Sequence, residues 1–198
     1  MLATLLSGLN PEQSRAVTLP SGSALVLAGA GSGKTRVLTT RVAWLLASGR
    51  ATPMGILAVT FTNKAAREMT TRLSAMLPFS PRGMWIGTFH GLAHRFLRAH
   101  WREAGLPQTF SILDMQDQLA LIKRLLKSLA VSDEAFPPRE LQRFINSNKD
   151  QALRAEALAP HDAYHTKLTE LYAAYDAQCN REGVVDFAEL MLRSYEVL

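Results

Sequence analysis

The 198-residue sequence holds a single cysteine, Cys179, which excludes an internal disulfide. With no second Cys or His at ligand spacing around it, a thiolate metal centre is excluded as well. No run approaches the ~18 apolar residues of a membrane span. Residues 1–10 have neither the basic start nor the long apolar stretch of an export signal. A soluble cytoplasmic protein with no membrane partner is therefore expected. Acidic residues are scarce at the front: through Arg102 only Glu12 and Glu68 face twelve Lys/Arg, whereas the remainder carries fifteen acids against ten bases. Such a basic front is either a solvated surface or a surface for an anionic polymer.

What is present suits a globular chain. Apolar residues make up 47% and charged residues 20%, enough for one full core or a core with an appendage, and there is no low-complexity tract or repeat. The first hundred residues alternate short apolar runs with amphipathic stretches, the pattern of an α/β fold with a parallel sheet covered by helices. Strands are expected at residues 24–28, 56–61 and 85–89, the first apolar throughout and so expected to be buried on both faces. Helices are expected from Gly33 to about Ala47, stopped by Gly49; from an Asn63 cap to about Leu77; and from about Gly91 to Ala104, stopped by Gly105. Beyond Gly105 helical periodicity takes over, with a helix capped by Asp114, one opened by Pro137 and Pro138, one from about Asp162 to Gly183, and one from Asp186. A mostly helical subdomain over 105–198 thus follows an α/β part over 1–104.

Ala28-Gly29-Ala30-Gly31-Ser32-Gly33-Lys34-Thr35 lies between an expected strand and an expected helix, the setting in which a glycine-rich turn cradles phosphates. The glycines turn backbone N–H groups inward, and the helix start adds partial positive charge. Lys34 can reach the terminal phosphates, and the Thr35 hydroxyl can ligate Mg²⁺. The general pattern has Gly where this chain has Ala28. The alternative is a strand-to-helix turn that binds nothing.

Four ordered blocks extend this reading: Leu9-Asn10-Pro11-Glu12-Gln13, Val26 through Leu38, Ala58-Val59-Thr60-Phe61-Thr62-Asn63-Lys64-Ala65-Ala66, and Gly83 through Gly91. Together with Val185-Asp186-Phe187-Ala188-Glu189-Leu190 they make the chain resemble, over essentially its whole length, the UvrD, Rep and PcrA family of superfamily 1 DNA helicases. The family's own loop has Ala at its first position, in agreement with Ala28. The resemblance implies a RecA-like P-loop NTPase fold, with residues 1–104 as the first part of motor domain 1A and residues 105–198 as the helical insert 1B. It also implies ATP and Mg²⁺ as cofactors. Ala28, Gly29, Ala30, Gly31, Ser32, Gly33, Lys34 and Thr35 would form the phosphate loop, with Lys34 and Thr35 in the catalytic roles and Thr35 on the metal.

Gln13 occupies the position of an amide that pairs with adenine, since an amide both donates and accepts. Read from local sequence alone, it completes a helix cap opened by Asn10. Arg36 resembles a further nucleotide contact; otherwise it is a solvated helix residue. Ligands of open α/β sheets gather at the carboxyl ends of strands. In the family the ends at Phe61-Thr62-Asn63-Lys64 and Thr88-Phe89-His90-Gly91 hold single-stranded DNA. Phe61, Thr62, Asn63, Lys64, Thr88 and His90 are the expected contacts, whereas Phe89 and Trp85 are assigned mainly to the core. His94, Arg98 and Arg102 make a basic stripe that either extends this path or is a solvated face. His90 and His94 have helical zinc-ligand spacing, but the Glu of His-Glu-x-x-His and a third ligand are missing.

An ATPase of this type also needs one carboxylate for Mg²⁺ and a second for the attacking water. Asp114 and Asp186 follow apolar runs, yet each stands without a paired acid and reads as a helix cap. The resemblance places the family's acid pair, arginine finger and second motor domain past Leu198, so an N-terminal piece of the enzyme, inactive alone, is expected. It further implies 3′-to-5′ movement on single-stranded DNA, action at single/double-strand junctions, and partners in repair. The rivals are a non-catalytic nucleotide- or DNA-binding module and a P-loop kinase, which needs a lid and an acceptor pocket.

Overall fold

The computed structural model describes residues 2–29 and 31–198. It divides into two compact units, Met1–Leu92 and Ala93–Leu198. The first holds helices α1 (Leu2–Leu6), α2 (Pro11–Thr18), α3 (Lys34–Ala47) and α4 (Asn63–Met76), strands β1 (Leu57–Thr60) and β2 (Trp85–Thr88), and the start of α5 (Phe89–Ala99). The second continues with β3 (Ser111–Ile112), α6 (Met115–Ser128), α7 (Pro138–Asp150), α8 (Ala163–Glu182), β4 (Val184–Val185) and α9 (Phe187–Val197).

In the first unit β1 and β2 pair in parallel, with Leu57 opposite Trp85 and Thr60 opposite Thr88. A core of Val42, Leu46, Ile56, Ala58, Met69, Leu73 and Met84 joins α3, α4 and the strands. A second cluster of Val17, Val37 and Trp44 seats α2 on α3. Arg41 strengthens that seat by donating to the carbonyls of Val17 and Leu19 at 2.8 and 2.9 Å, which the end of α2 would otherwise leave without helical partners.

Two expectations need correction here. Residues 24–28 form no ladder among the described residues, and Leu25 and Leu27 are each 84% exposed. An apolar run marks surface that favours burial, but a strand forms only where a neighbour takes its N–H and C=O groups, and none of the described strands does so. The cap of α4 is Thr62 rather than Asn63: its hydroxyl accepts from the Ala65 amide at 3.1 Å, and Asn63 is already helical.

The second unit is helical, as its periodicity suggests, with a short parallel ladder between β3 and β4 that the sequence pattern does not signal. Asp114, Asp162 and Asp186 cap α6, α8 and α9 through backbone amides. Gly183 ends α8 at φ 66, where a side chain would be strained and would meet Pro107. One core gathers Leu121, Ile122, Leu126, Leu141, Ile145, Leu171, Tyr172 and Tyr175. Another gathers Ala93, Leu97, Ala104, Leu106, Phe110, Val185 and Leu190, and these contacts begin the unit at residue 93 rather than at 105.

Beside these cores lies a buried charge cluster. The Lys149 ammonium meets Asp176, Asp186 and Glu189 at 2.8, 2.9 and 2.8 Å. Arg154 pairs with Asp176, Glu189 and Glu196 at 3.0, 2.8 and 2.7 Å, and Arg193 joins Glu189 at 2.6 Å. Tyr175 donates to Asp186 at 2.8 Å. Burial alone would raise the Glu189 carboxyl, but Lys149, Arg154 and Arg193 bring it down to about 2. Burial pushes Asp176 the other way, upward, and Lys149 only partly offsets it.

Removing one member of such a cluster leaves uncompensated charge in a dry site, so Lys149→Ala is expected to cost roughly 3–5 kcal/mol in chemical denaturation followed by circular dichroism. Because the folded-state value of Glu189 is depressed, its contribution is complete above about pH 4.5 and is lost as pH falls through about 2. Asp176, with a raised value, acts in the opposite sense. Glu189→Gln should therefore flatten the acid-side decline of unfolding free energy in that window.

Candidate functional site

The turn before α3 is built around backbone groups that side chains already address. Gly31 and Gly33 sit at φ 74 and 84, and Gly33 is the N-cap of α3. These are left-handed conformations that residues with a Cβ adopt only with strain. Ser32 Oγ donates to the Gly29 carbonyl at 2.7 Å. The Lys34 ammonium donates to the carbonyls of Ala28 and Gly29 at 2.9 and 2.6 Å, so it lies across the mouth of the turn. Ala30 lies outside the described residues. Lys34, Thr35 and Arg36 form the exposed first turn of α3, where the helix amides and dipole favour negative charge. Exposed cationic, hydroxyl and amide donors converging on one turn are the donor set that a triphosphate with its magnesium requires.

Gln13 fulfils the capping reading, and its side-chain amide also reaches the turn. Its Oε1 accepts from the Asn10 amide at 3.2 Å while Asn10 Oδ1 accepts from the Gln13 amide at 2.8 Å, a complete capping box. Its Nε2 donates to the Ser32 carbonyl at 3.0 Å, which ties α2 to the turn. Arg36 is exposed, its guanidinium beside Gly8.

The strand ends lie next to this turn. A cleft of about 280 Å³ is lined by Lys34, Thr35 and Leu38 on one side and by Thr60, Phe61, Thr62, Ala65 and Met69 on the other. Phe61 is 92% exposed, and Asn63 and Lys64 are exposed with it. Thr88 accepts from the Gly91 amide at 3.2 Å, and the exposed His90 follows at the start of α5. Of the six residues expected at a DNA strand, Phe61 and Thr62 line the cleft, Asn63 and Lys64 continue from it on α4, and Thr88 and His90 stand at the end of the neighbouring strand.

The assignment of Phe89 to the core is corrected. It is 48% exposed, and its ring lies 6.0 Å from that of Phe61, tilted by 53°. The signal was in the sequence: Thr-Phe occurs at both strand ends, and the pairing of Thr60 with Thr88 sets the two phenylalanines level. Trp85 is partly buried within β2.

At two of its three positions the basic stripe is engaged within the fold rather than fully solvated. Arg98 donates to the carbonyls of Gln108 and Phe110, lies 4.2 Å over the Phe110 ring, and donates to His94 Nε2 at 3.0 Å. Burial and the neighbouring Arg98 hold His94 below the ordinary histidine value. Only Arg102 remains exposed, against Trp101. Asp114 and Asp186 act as caps, and Asp186 is also engaged by Lys149 and Tyr175.

A glycine-rich turn at a helix start lies beside two parallel strand ends that carry hydroxyls, aromatic rings and a lysine. Residues 9–198 match the model of the UvrD/REP helicase N-terminal domain, and the chain belongs to that family. It is 50% identical over 194 residues to DNA helicase II of Escherichia coli K12, covering 98% of this chain and 27% of that protein. The Haemophilus influenzae DNA helicase II is 50% identical over 201 residues, with 99% and 28% covered. The ATP-dependent DNA helicase PcrA of Bacillus subtilis is 40% identical over 195 residues, with 98% and 26% covered. The chain thus spans about a quarter of the length of these relatives.

A methyl group on Gly33 would meet Gln13 Nε2 at 3.0 Å and hold a left-handed backbone. Gly33→Ala should therefore cost about 1–2 kcal/mol and weaken binding of a fluorescent ATP analogue, read by anisotropy against wild type.

Proposed function

We propose that this chain is the ATP- and DNA-binding front of an ATP-dependent DNA helicase, with Met1–Leu92 as the opening of its first motor domain and the second unit as its helical insert. One observation carries the reading: the cleft that begins at Lys34 and Thr35 ends at Phe61 and Thr62, so phosphate donors and a strand platform face one cleft. Membership of the UvrD/REP family supports it.

In this reading the loop amides of residues 28–33 and the Lys34 ammonium neutralise the β- and γ-phosphates. The Thr35 hydroxyl holds Mg²⁺, Gln13 selects adenine, and Arg36 adds a cation beside the nucleotide. ATP, when bound, supplies the phosphoryl bond whose cleavage drives movement. Lys34 must leave the carbonyls of Ala28 and Gly29 to meet the phosphates, an exchange of two neutral acceptors for charged ones that favours the bound geometry.

Phe61 offers a face for a DNA base; stacking gives about 1–3 kcal/mol per base whatever its identity, as movement along arbitrary sequence requires. Thr62, Asn63, Lys64, Thr88 and His90 hold the backbone around it. Hydrolysis needs an acid pair that Asp114 and Asp186 do not supply, so the chain by itself binds rather than turns over ATP. Movement from 3′ to 5′, preference for single/double-strand junctions and a place in DNA repair with its protein partners rest on the family resemblance.

Two measurements separate the halves of the site. Lys34→Ala should abolish binding of a fluorescent ATP analogue while leaving oligo-dT binding within about twofold; unchanged nucleotide binding removes the turn from the mechanism. Lys64→Ala should weaken oligonucleotide binding equally for all sequences and reduce its salt slope by about one unit. A loss confined to particular sequences would instead make Lys64 a base reader.

A further inference from the structure

The acidic, helical unit holds a group of side chains that the nucleotide and DNA site does not use. His161 and Asp162 immediately precede α8, and His165 lies on its first turn. Asp162 Oδ1 caps the helix by accepting from the His165 amide at 2.7 Å. The other carboxylate oxygen, Oδ2, is approached from two sides: His161 Nε2 stands 3.3 Å away and His165 Nδ1 2.9 Å away, the latter equally near Oδ1. The two imidazole rings lie 4.5 Å apart with planes tilted by 32°. All three ligand atoms fall within 4.8 Å of one another, and among the described residues this is the one group of three metal-ligating side chains so arranged.

We propose that His161, Asp162 and His165 form a binding site for a divalent transition-metal ion of the zinc type. Two imidazole nitrogens and one carboxylate oxygen are the ligand set such ions take with a position left open for water. Zinc holds these atoms at about 2.0–2.2 Å, which sets ligand atoms roughly 3.4 Å apart around a tetrahedral ion. The 3.3 Å separation already meets that spacing, the 2.9 Å hydrogen-bonded one must widen, and rotation of the exposed His161 side chain would close the third. A helix start repels a cation, so the Asp162 charge is needed to offset the dipole. The ion would clamp the segment before α8 onto the helix that carries Tyr172, Tyr175 and Asp176 of the buried core and charge cluster. Hard oxygen-seeking ions such as magnesium do not suit two imidazoles, so this site and the proposed Thr35 site would take different metals.

The test uses the full 198-residue chain and the metal alone. Co²⁺ titrated into wild type should produce visible d–d absorption of a four- or five-coordinate site, saturating at one equivalent and displaced by Zn²⁺. His161→Ala, His165→Ala and Asp162→Asn, the last keeping an oxygen for the cap, should each raise the dissociation constant at least about tenfold. His100→Ala, a histidine outside the group, should bind as wild type does. Far-UV circular dichroism of each variant in chelator should match wild type, since all the altered side chains are at least partly exposed, and Zn²⁺ should raise the unfolding midpoint of wild type and His100→Ala but not of the three group variants. Absence of saturable absorption in the wild type, or wild-type affinity in both group histidine variants, overturns the proposal.

Discussion

The arrangement of the candidate site depends on the register of one short parallel ladder. With Thr60 opposite Thr88, β1 and β2 finish at the same edge, and the residues that follow each strand emerge side by side. Parallel strands must be joined by a crossover, here containing α4, whose first turn presents Asn63 and Lys64 beside the same edge. Without that register Phe61 and Phe89 would not lie within 6.0 Å.

The same economy appears at the glycine-rich turn, where structural roles fall on atoms that are also proposed to bind ligand. Gln13 closes a capping box and holds Ser32, so the element proposed to sense adenine also braces the loop proposed to hold the phosphates. Thr62 caps α4 through its oxygen and keeps its hydroxyl proton for a second partner. In the other unit, Asp186 shows the reverse economy: every oxygen is engaged within the fold, which removes it from catalysis and fixes α9 against α7 and α8.

Local signals in the sequence were sound guides where the physics is local. The caps at Asp114 and Asp186, the stops at Gly49 and Gly183 and the glycine-rich turn all depend on neighbours within a few residues, and the structure has them. Residues 24–28 were misread because apolar composition signals burial, whereas a strand also needs a partner distant in sequence. The charge cluster went unseen because Lys149 meets acids 27 to 40 positions away, on α8 and at the start of α9. Arg98 was read as surface for the same reason, its carbonyl partners lying beyond the end of its own helix. Phe89 differs, since its exposure was legible from the repeated Thr-Phe once the two strands are taken as neighbours in register.

The central claim is that one face of the first unit holds a nucleotide at residues 28–36 and a DNA strand at residues 61–64 and 88–90. Amide hydrogen exchange on the chain, alone and with a non-hydrolysable ATP analogue plus Mg²⁺ or with oligo-dT, tests it most directly. The account predicts that nucleotide slows exchange in the turn and the first turn of α3, and that oligo-dT slows it at the two strand ends. Protection by nucleotide elsewhere with the turn unaffected, or protection by oligo-dT confined to the second unit, would contradict it.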